Sequence, residues 1–456
     1  MKKLTAFLVS VLATAALNAA VIEQVIVRQQ WPWSTDVKVE YKISAVTNPV
    51  DITVQAFNGA TELALPAEAV TGDRYGIAED GVGTLVIDPV AAFGTAKVAL
   101  ANFKVKLTVS DSASDINEVL YKIFDLANGS CKDVTRADFY NGKMGAYETS
   151  FSSIEPMYNT TLENVLIWTG VTNYPGAKTS KLVMRKIPGA YRTFMMGSLE
   201  NEVGRSTNEM RHEVTLQNQN YYIGVFELTE AQALKLTDGR AGDSFWVGGV
   251  QVWSYCASYG GPEMLAANQD MPVNIAYPNQ FRWSGWSATM FNHSAIDNGT
   301  MLSKLRTLTG VQFDLPTEAQ WEYACRAGTT NALNCGRDIL IESSPAQDVA
   351  WYDANSGGHV WPVGQKAPNA FGLYDMHGNR EELCVDLYDA EYEKLPPIDQ
   401  GGPSSGTAYV MKGGGFNLWT ASQRSAAREP FAESTGGILM RCGIRVVMPE
   451  GGSWSW

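Results

Sequence analysis

The chain contains the stretch Leu315-Pro-Thr-Glu-Ala-Gln-Trp-Glu-Tyr-Ala-Cys-Arg-Ala-Gly-Thr329, and its fold is best worked out from there. The proline lacks the amide hydrogen that a helix start leaves unpaired, and Thr317 is a preferred capping residue. Glu318 sets negative charge at the positive end of the helix dipole. Gly328 allows the chain to turn away at the other end. The stretch therefore predicts a short helix from Thr317 to Arg326.

A second stretch some forty residues later reads Asn369-Ala-Phe-Gly-Leu-Tyr-Asp-Met-His-Gly-Asn-Arg-Glu-Glu-Leu383. Together the two stretches resemble the formylglycine-generating enzyme, or sulfatase-modifying factor, family. Its members typically carry L-P-T-E-A-E-W-E-Y-A-x-R-G-G and N-x-F-G-L-Y-D-M-x-G-N-V-W-E-W. The resemblance runs from about Lys181 to Met448 and takes in Gly443-Ile-Arg-Val-Val447. It implies a compact α+β domain with a C-type-lectin-like fold and little regular secondary structure.

The composition describes a globular and acidic protein. With 456 residues, 45% of them hydrophobic, the chain has room for two or three domains. A formal net charge of −13 argues against nucleic acid or an anionic membrane as a partner, because either would require a basic face.

The N-terminus has the pattern of a secretory signal peptide over residues 1–20: two lysines, an apolar run and small residues at Asn18-Ala-Ala20. No later apolar run is long enough to span a membrane. The mature protein is therefore expected to be secreted, periplasmic or at the surface of a bacterial cell.

Residues 21–176 alternate between apolar and polar side chains, as half-buried strands do. Val39, Tyr41 and Ile43 point one way while the charged residues between them point the other. Turn dipeptides such as Asn58-Gly59 separate the strands, so we predict an all-β sandwich that ends at the linker Asn173-Tyr-Pro-Gly176. The sulfatase-modifying-factor domain is then expected over residues 177–450, with a short tail at 451–456.

The six cysteines leave two interpretations open. In an exported chain they allow up to three disulfides, whose pairing the sequence does not give. Alternatively, several of them are buried small apolar residues. They are Cys131, Cys256, Cys325, Cys335, Cys384 and Cys442.

The resemblance implies an oxidase activity that this chain lacks the residues to perform. The family's aerobic enzymes bind copper(I) through two cysteines, five residues apart after a Gly-Gly-Ser turn, and oxidise a substrate cysteine to formylglycine. Here Leu418 and Gln423 occupy those positions or lie next to them, and neither side chain supplies a thiolate. We therefore expect no copper and assign no catalytic residue.

Iron is not expected either. Some relatives bind iron through three histidines, but the spacing of His212, His293, His359 and His377 matches no H-x-x-x-H pair.

One structural calcium site is implied by the same resemblance. Family members hold calcium in the loop G-L-Y-N/D-x-x-G-N-x-x-E through the first acidic or amide side chain, two backbone carbonyls and the final glutamate. Those positions are Asp375, Gly378, Arg380 and Glu382 here, and hard oxygen ligands suit a hard cation. The alternative is that the two carboxylates are structural and braced by Arg380.

The segment from Phe416 to Arg424 occupies the position of the family's substrate groove. We take Phe416, Asn417, Trp419 and Arg424 as candidate ligand-binding residues, with Trp419 as an apolar anchor. Two alternatives stay open: Arg424 belongs to a structural motif with Arg428, or Trp419 fills the core.

These observations favour an exported protein that binds a protein, peptide or glycan through its sulfatase-modifying-factor domain, without formylglycine-generating activity. Whether it is an enzyme stays open. The alternative function is a divergent oxidoreductase of the same superfamily that modifies a secreted peptide or small molecule with the help of a metal. A purely structural role in the cell envelope is the third possibility.

Overall fold

The computed structural model shows a mostly β protein with few helices. It describes residues 20–29, 36–65, 69–74, 76–77, 79–93, 102–111, 117–140, 146–152, 161–190, 192–216, 220–236, 245–247, 250–252, 269–274, 281–282, 290–291, 296–339, 345–395, 402–432, 442–451 and 454. The predicted signal peptide lies outside the described residues, except for Ala20. So do Cys256 and His293.

The chain forms two compact units. The first contains two antiparallel sheets, one with strand order β1-β2-β6-β5 and the other with order β4-β3-β7. Its strands are β1 (Val21–Gln29), β2 (Val37–Ser44), β3 (Val50–Asn58), β4 (Thr61–Leu63), β5 (Val70–Gly72), β6 (Gly81–Ile87) and β7 (Phe103–Asp111).

The alternation of side chains explains the core of this unit. Val39, Tyr41 and Ile43 of β2 are buried, as predicted. They belong to one apolar cluster together with Ile52 of β3 and Val105 of β7, so residues of both sheets contribute to the same core. Burial of alternate side chains on each strand fixes the register, because a slip by one residue would expose the apolar set.

Most of the remaining strand residues belong to the second unit, while Val134–Glu148 and Trp168–Gly170 belong to the first. A five-stranded sheet has the order β26-β15-β12-β8-β9, and a four-stranded sheet has the order β24-β23-β21-β25. From β8 onwards the strands in the part of the chain that the structure describes are β8 (Val119–Asp125), β9 (Cys131–Thr135), β10 (Ala146–Ser152), β11 (Thr161–Trp168), β12 (Lys181–Ile187), β13 (Thr193–Met196), β14 (His212–Thr215), β15 (Tyr221–Gly224), β16 (Phe245–Val247), β17 (Val250–Val252), β18 (Met290–Phe291), β19 (Ala350–Trp351), β20 (His377–Gly378), β21 (Glu381–Leu387), β22 (Ser405–Gly406), β23 (Tyr409–Lys412), β24 (Arg428–Phe431), β25 (Cys442–Gly443) and β26 (Val447–Pro449).

The division between the units differs from the predicted boundary at residue 176. The segment Tyr121–Asp133 belongs to the second unit. The reason is that β8 pairs with β12, from Tyr121 opposite Arg185 to Asp125 opposite Lys181. Pairing partners that lie sixty residues apart leave no mark in a local strand pattern.

The helix predicted in the opening stretch is confirmed, over Glu318–Arg326. The Thr317 hydroxyl accepts from the Gln320 amide while the Gln320 side chain accepts from the Thr317 amide, which completes a capping box. Ala327 ends the helix with a left-handed φ of 44°. The other α-helices among the described residues are Pro89–Phe93, Arg136–Tyr140, Glu230–Leu236, Met301–Thr309, Ala346–Val349 and Asp353–Ser356.

This helix is unusual because its charged side chains are buried with its apolar ones. Trp321 is fully buried in the main core. Glu322 accepts from Lys412 Nζ at 2.9 Å and from Arg326, and Glu318 pairs with Arg428 at 2.7 Å. Although burial opposes the charged form, Lys412 and Arg326 lower the pKa of Glu322 to about 2.

The five described cysteines are free thiols, so among them the structure supports the interpretation that did not require disulfides. Cys325, Cys384 and Cys442 are buried, Cys335 is half-buried and Cys131 is exposed. None of the helices in the described part of the chain combines the length and the apolar character that a bilayer crossing requires.

Candidate functional site

The predicted calcium loop contains β20 and continues into β21, and several of its residues have positive φ angles. Asp375 and Asn379 adopt left-handed φ angles of 55° and 59°. Gly378 also has a positive φ, and a Cβ there would lie 2.2 Å from the Trp351 carbonyl oxygen, so only glycine fits against β19. Asp, Asn and Gly are the residues that adopt positive φ most readily, so the sequence of the loop suits its backbone, and the close approach to β19 requires the glycine.

Asp375 is buried and only partly hydrogen-bonded. Its Oδ2 accepts from the Gly364 amide at 2.6 Å, whereas its Oδ1 is buried without a hydrogen-bond partner among the described residues. Burial raises the pKa of Asp375 to about 6. A buried carboxylate oxygen without a donor is costly, so Asp375 Oδ1 is the atom of the loop best suited to bind a cation.

Glu382 on β21 is braced, but by Arg445 and not by Arg380 as the structural alternative supposed. Arg445 Nη2 donates to Glu382 Oε1 at 2.6 Å and its Nε donates to Oε2 at 2.9 Å. Trp321 Nε1 donates to the same Oε2 at 2.6 Å. Arg380 instead directs its side chain to the Pro272 carbonyl oxygen. Both oxygens of Glu382 are thus already occupied by donors.

A third buried carboxylate, Glu227, was missed by sequence reasoning. Its Oε1 accepts from the Arg380 amide at 3.0 Å and its Oε2 accepts from Asn379 Nδ2 at 2.8 Å. Burial, with the neighbouring charges of Asp375 and Glu382, raises the pKa of Glu227 well above its ordinary value. The available signal was a charged residue inside the apolar run Gly224-Val-Phe-Glu-Leu228.

The negative charge of these carboxylates would suit a bound cation, but only some of their oxygen atoms are free to bind one. Three buried carboxylates (Glu227, Asp375, Glu382) lie close together, Arg445 and the half-buried Lys178 act on them, and the buried Arg380 belongs to the same loop. The unpartnered oxygen of Asp375 suits a hard cation, while Glu382 is engaged by Arg445. Within the described ranges, no three His, Cys, Asp or Glu side chains are grouped so that they could hold a metal ion by themselves. Any metal here would depend on backbone carbonyls as well.

The predicted ligand-binding segment is fixed to this loop and to the helix Asp353–Ser356. The Phe416 amide donates to the Asn379 carbonyl at 2.8 Å, and the Ser356 hydroxyl donates to the Phe416 carbonyl at 2.7 Å. The Asp353 amide donates to the Leu418 carbonyl at 3.1 Å. These bonds make the segment rigid although it has little regular secondary structure.

Within the segment, some residues are exposed at the surface and others are buried. Trp419 is 79% exposed and Asn417 is exposed, whereas Phe416 is buried. The alternative in which Trp419 fills the core is therefore wrong. Phe416 is buried and cannot contact a ligand at the surface, so its assignment as a ligand-binding residue is corrected.

Arg424 is also corrected, because it lies in the interior. It is 2% exposed, and it donates to both Glu209 oxygens at 2.6 and 2.7 Å and to Glu202 Oε1 at 2.8 Å. A bidentate guanidinium with a second carboxylate has few hydrogens left for a ligand. The structural alternative is the correct one for this residue.

At one of the two positions that hold copper thiolates in the family's enzymes, this chain has Gln423, which makes structural hydrogen bonds. Gln423 is buried, and its Nε2 donates to the Gly415 carbonyl at 3.2 Å and the Trp419 carbonyl at 3.3 Å. Cys325 lies nearby, with its sulfur 3.7 Å from Ser425 Oγ. Burial raises the pKa of the Cys325 thiol to about 12, so it stays protonated at neutral pH.

The three described histidines belong to separate local arrangements. His377 is buried, which lowers its pKa to about 4, and its Nε2 accepts from the Asn334 amide at 3.0 Å. His212 Nδ1 lies 2.9 Å from the Met210 carbonyl oxygen, and His359 Nδ1 lies at the same distance from that of Val360.

The family model of the sulfatase-modifying factor enzyme 1-like domain matches residues 184–449. The chain is 36% identical over 114 residues to a formylglycine-generating enzyme of Thermomonospora curvata, covering 22% of this chain and 38% of that protein. It is 32% identical over 142 residues to the formylglycine-generating enzyme of Streptomyces coelicolor, covering 28% and 45% respectively. The chain thus spans less than half of the length of these relatives.

Among solved structures, PvdO from Pseudomonas aeruginosa is similar, with 24% identity and a TM-score of 0.45 over 59% of this chain and 94% of that one. The family model covers more than half of the chain. The chain therefore belongs to the sulfatase-modifying factor enzyme 1-like domain family.

Proposed function

We propose that this chain is an exported binding protein whose sulfatase-modifying-factor domain presents a ligand surface at Trp419, while its first unit is a β-sandwich that spaces or positions it. The observation that carries the proposal is an indole 79% exposed to solvent on a segment that backbone hydrogen bonds hold rigid. Tryptophan at the centre of a rigid loop surface is a common energetic anchor for a partner.

The residues at the family's copper positions support a role other than formylglycine formation. Leu418 has no metal-binding atom, and the Gln423 amide hydrogens are used to tie the segment together. Without a thiolate there is no soft ligand for copper(I). The alternative of a divergent oxidoreductase gains no support from these residues.

We further propose that one calcium ion stabilises the loop beneath the ligand surface. Asp375 Oδ1 and the backbone carbonyls of Gly378 and Arg380 would hold it, with Glu227 and Glu382 contributing negative charge. The support is the buried oxygen of Asp375 that has no partner among the described residues, and the closeness of three buried carboxylates, Glu227, Asp375 and Glu382. Bound calcium would supply positive charge that stabilises the loop. Because the Phe416 amide donates to the Asn379 carbonyl, a stable loop would also help to hold the surface segment in place.

The binding proposal is tested with Trp419→Ala. The variant is expected to lose binding to whichever immobilised glycan or cell-surface protein the wild type recognises in array screening. Its melting temperature should stay close to that of the wild type, because the indole buries little surface. Val82→Ala, at a side chain 74% exposed in the first unit, is the matched control and should change neither property. Unaltered binding by Trp419→Ala would refute the proposal.

A further inference from the structure

We infer that Asn298 is a site of spontaneous covalent modification, where the folded protein slowly forms aspartate and isoaspartate. Both products carry a negative charge that asparagine lacks, and isoaspartate also adds one atom to the backbone. The change falls directly before the helix Met301–Thr309. The inference is independent of the proposed binding function, because it rests on the chemistry of one Asn-Gly bond.

Asparagine is least stable when glycine follows it, and the chain contains four Asn-Gly pairs. They begin at Asn58, Asn128, Asn141 and Asn298, of which Asn141 lies outside the described residues. Glycine has no Cβ to shield its amide nitrogen, so this nitrogen readily reaches the side chain before it. The other three pairs differ in how firmly the fold holds the two reacting groups.

The pair at Asn298 is open to reaction. Asn298 and Gly299 are both exposed, and a Cβ placed on Gly299 would meet nothing within 4 Å. Among the described residues, neither the Gly299 amide nor the Asn298 side chain makes a hydrogen bond. The attacking nitrogen and the side-chain carbon that it attacks can therefore approach each other without breaking a contact in the described part of the chain.

At Asn58 the fold holds both reacting groups. The Gly59 amide donates to the Asn102 carbonyl at 2.9 Å. The Asn58 side-chain oxygen accepts from the Asn102 amide at 3.3 Å. Asn58 is also the last residue of β3 and pairs with Thr61 of β4. Reaction at this pair would first have to break these contacts.

Asn128 is held in a similar way, in the turn between β8 and β9. The Gly129 amide donates to the Asp125 carbonyl at 2.8 Å. The Asn128 side-chain oxygen accepts from the Ser130 amide at 2.9 Å. A Cβ on Gly129 would lie 1.9 Å from the Leu308 carbonyl oxygen, so the glycine has little room to move. The fold therefore protects this pair as well.

The reaction consumes water and releases ammonia. The Gly299 nitrogen forms a bond to Cγ of Asn298, its proton passes to solvent, and the side-chain nitrogen leaves as ammonia. The product is a cyclic succinimide. Water then opens the ring at either of its two carbonyl groups. One opening gives aspartate, and the other leads the backbone through the former side chain and gives isoaspartate.

The modified turn positions the start of the helix Met301–Thr309. Thr300 is fully buried, and its hydroxyl donates to the Asp297 carbonyl at 2.9 Å and accepts from the Ser303 amide at 3.3 Å. An additional backbone atom between Asp297 and Thr300 would displace this cap. A negative charge alone is tolerated near the positive end of the helix dipole. Isoaspartate should therefore destabilise the domain, whereas aspartate should not.

The experiment incubates the full chain in mildly alkaline buffer, both folded and unfolded in urea, and follows each Asn-Gly peptide by mass spectrometry. Isoaspartate is identified by labelling with an isoaspartyl methyltransferase. In urea the pairs should react at similar rates. In the folded protein Asn298 should keep that rate, while Asn58 and Asn128 should react about tenfold more slowly or less, because their hydrogen bonds must open first.

Asn298→Gln is the matched control, because its longer side chain forms a cyclic imide far more slowly. Aged wild type should melt at a lower temperature than fresh protein, and aged Asn298→Gln should not. Asn298→Asp carries the charge without the additional atom and should melt like fresh wild type.

Three outcomes would overturn the inference. In the first, Asn298 reacts no faster than Asn58 and Asn128 in the folded protein. In the second, folding slows the reaction at Asn298 as much as at the other two pairs. In the third, aged Asn298→Gln loses as much thermal stability as aged wild type, which would place the damage elsewhere in the chain.

Discussion

Replacing Asp375 with asparagine should raise the stability of the metal-free protein and abolish its response to calcium. The amide keeps an oxygen for the Gly364 amide bond and removes one charge from the carboxylate cluster. Burial raises the pKa of Asp375 from 3.8 to about 6, and each pKa unit corresponds to about 1.4 kcal/mol, so the buried charge costs roughly 3 kcal/mol at neutral pH. Calcium at a hundredfold excess over its Kd stabilises the wild type by about 2.7 kcal/mol. Adding calcium should therefore reduce or reverse the difference in unfolding free energy between Asp375→Asn and the wild type.

The same pKa gives the dependence on pH. A carboxyl group whose pKa is higher in the folded state than in the unfolded state destabilises the folded protein when the pH is above both pKa values. This destabilisation disappears as the pH falls from the folded-state pKa to the unfolded-state pKa. For Asp375 the window runs from about 6 down to 3.8. In metal-free buffer the advantage of Asp375→Asn over the wild type should thus be full at neutral pH and shrink towards pH 4.

Urea unfolding followed by tryptophan fluorescence, with and without calcium, measures both effects. Glu391→Gln is the matched control, because it removes an acidic charge that is 64% exposed and should leave the calcium response intact. Glu382→Gln is a poor substitute, since it would leave Arg445 buried without its partner and destabilise the protein in either buffer. If Asp375→Asn is destabilised in both buffers, or if calcium leaves the wild-type curve unmoved, the assignment of Asp375 to a calcium site is refuted.

Two further predictions concern the core and the chemistry. Glu322→Gln should cost about 3–5 kcal/mol, measured by urea unfolding, because the buried Lys412 and Arg326 lose the carboxylate they share and Lys412 keeps only Glu318, at 3.7 Å. In the wild type the stability from Glu322 is present above pH 4.5 and lost as the pH falls towards about 2. A sulfatase peptide incubated aerobically with the protein and copper should show no formylglycine by mass spectrometry, because Leu418 and Gln423 supply no thiolate, and an aldehyde product above the metal-free control would contradict this.

The sequence by itself determined the features that depend on neighbours in the chain. The capping box at Thr317 is local chemistry between residues three apart, and the alternation around Tyr41 reports a half-buried strand whatever its partner is. Family membership likewise followed from two contiguous stretches, and so did the absence of cysteine at residues 418 and 423.

Tertiary structure alone decided which charges meet. Glu382 is paired with Arg445, 63 residues away, and Glu227 contacts the amide of Arg380, 153 residues away. With 48 acidic and 35 basic residues, the sequence allows far too many pairs for spacing to select one. Arg424 shows the consequence, because a side chain placed on the ligand surface by its position in the motif is drawn inside by two carboxylates from a distant loop. Burial makes an unpaired charge costly, so the fold, rather than the local pattern, assigns each of these groups its partner.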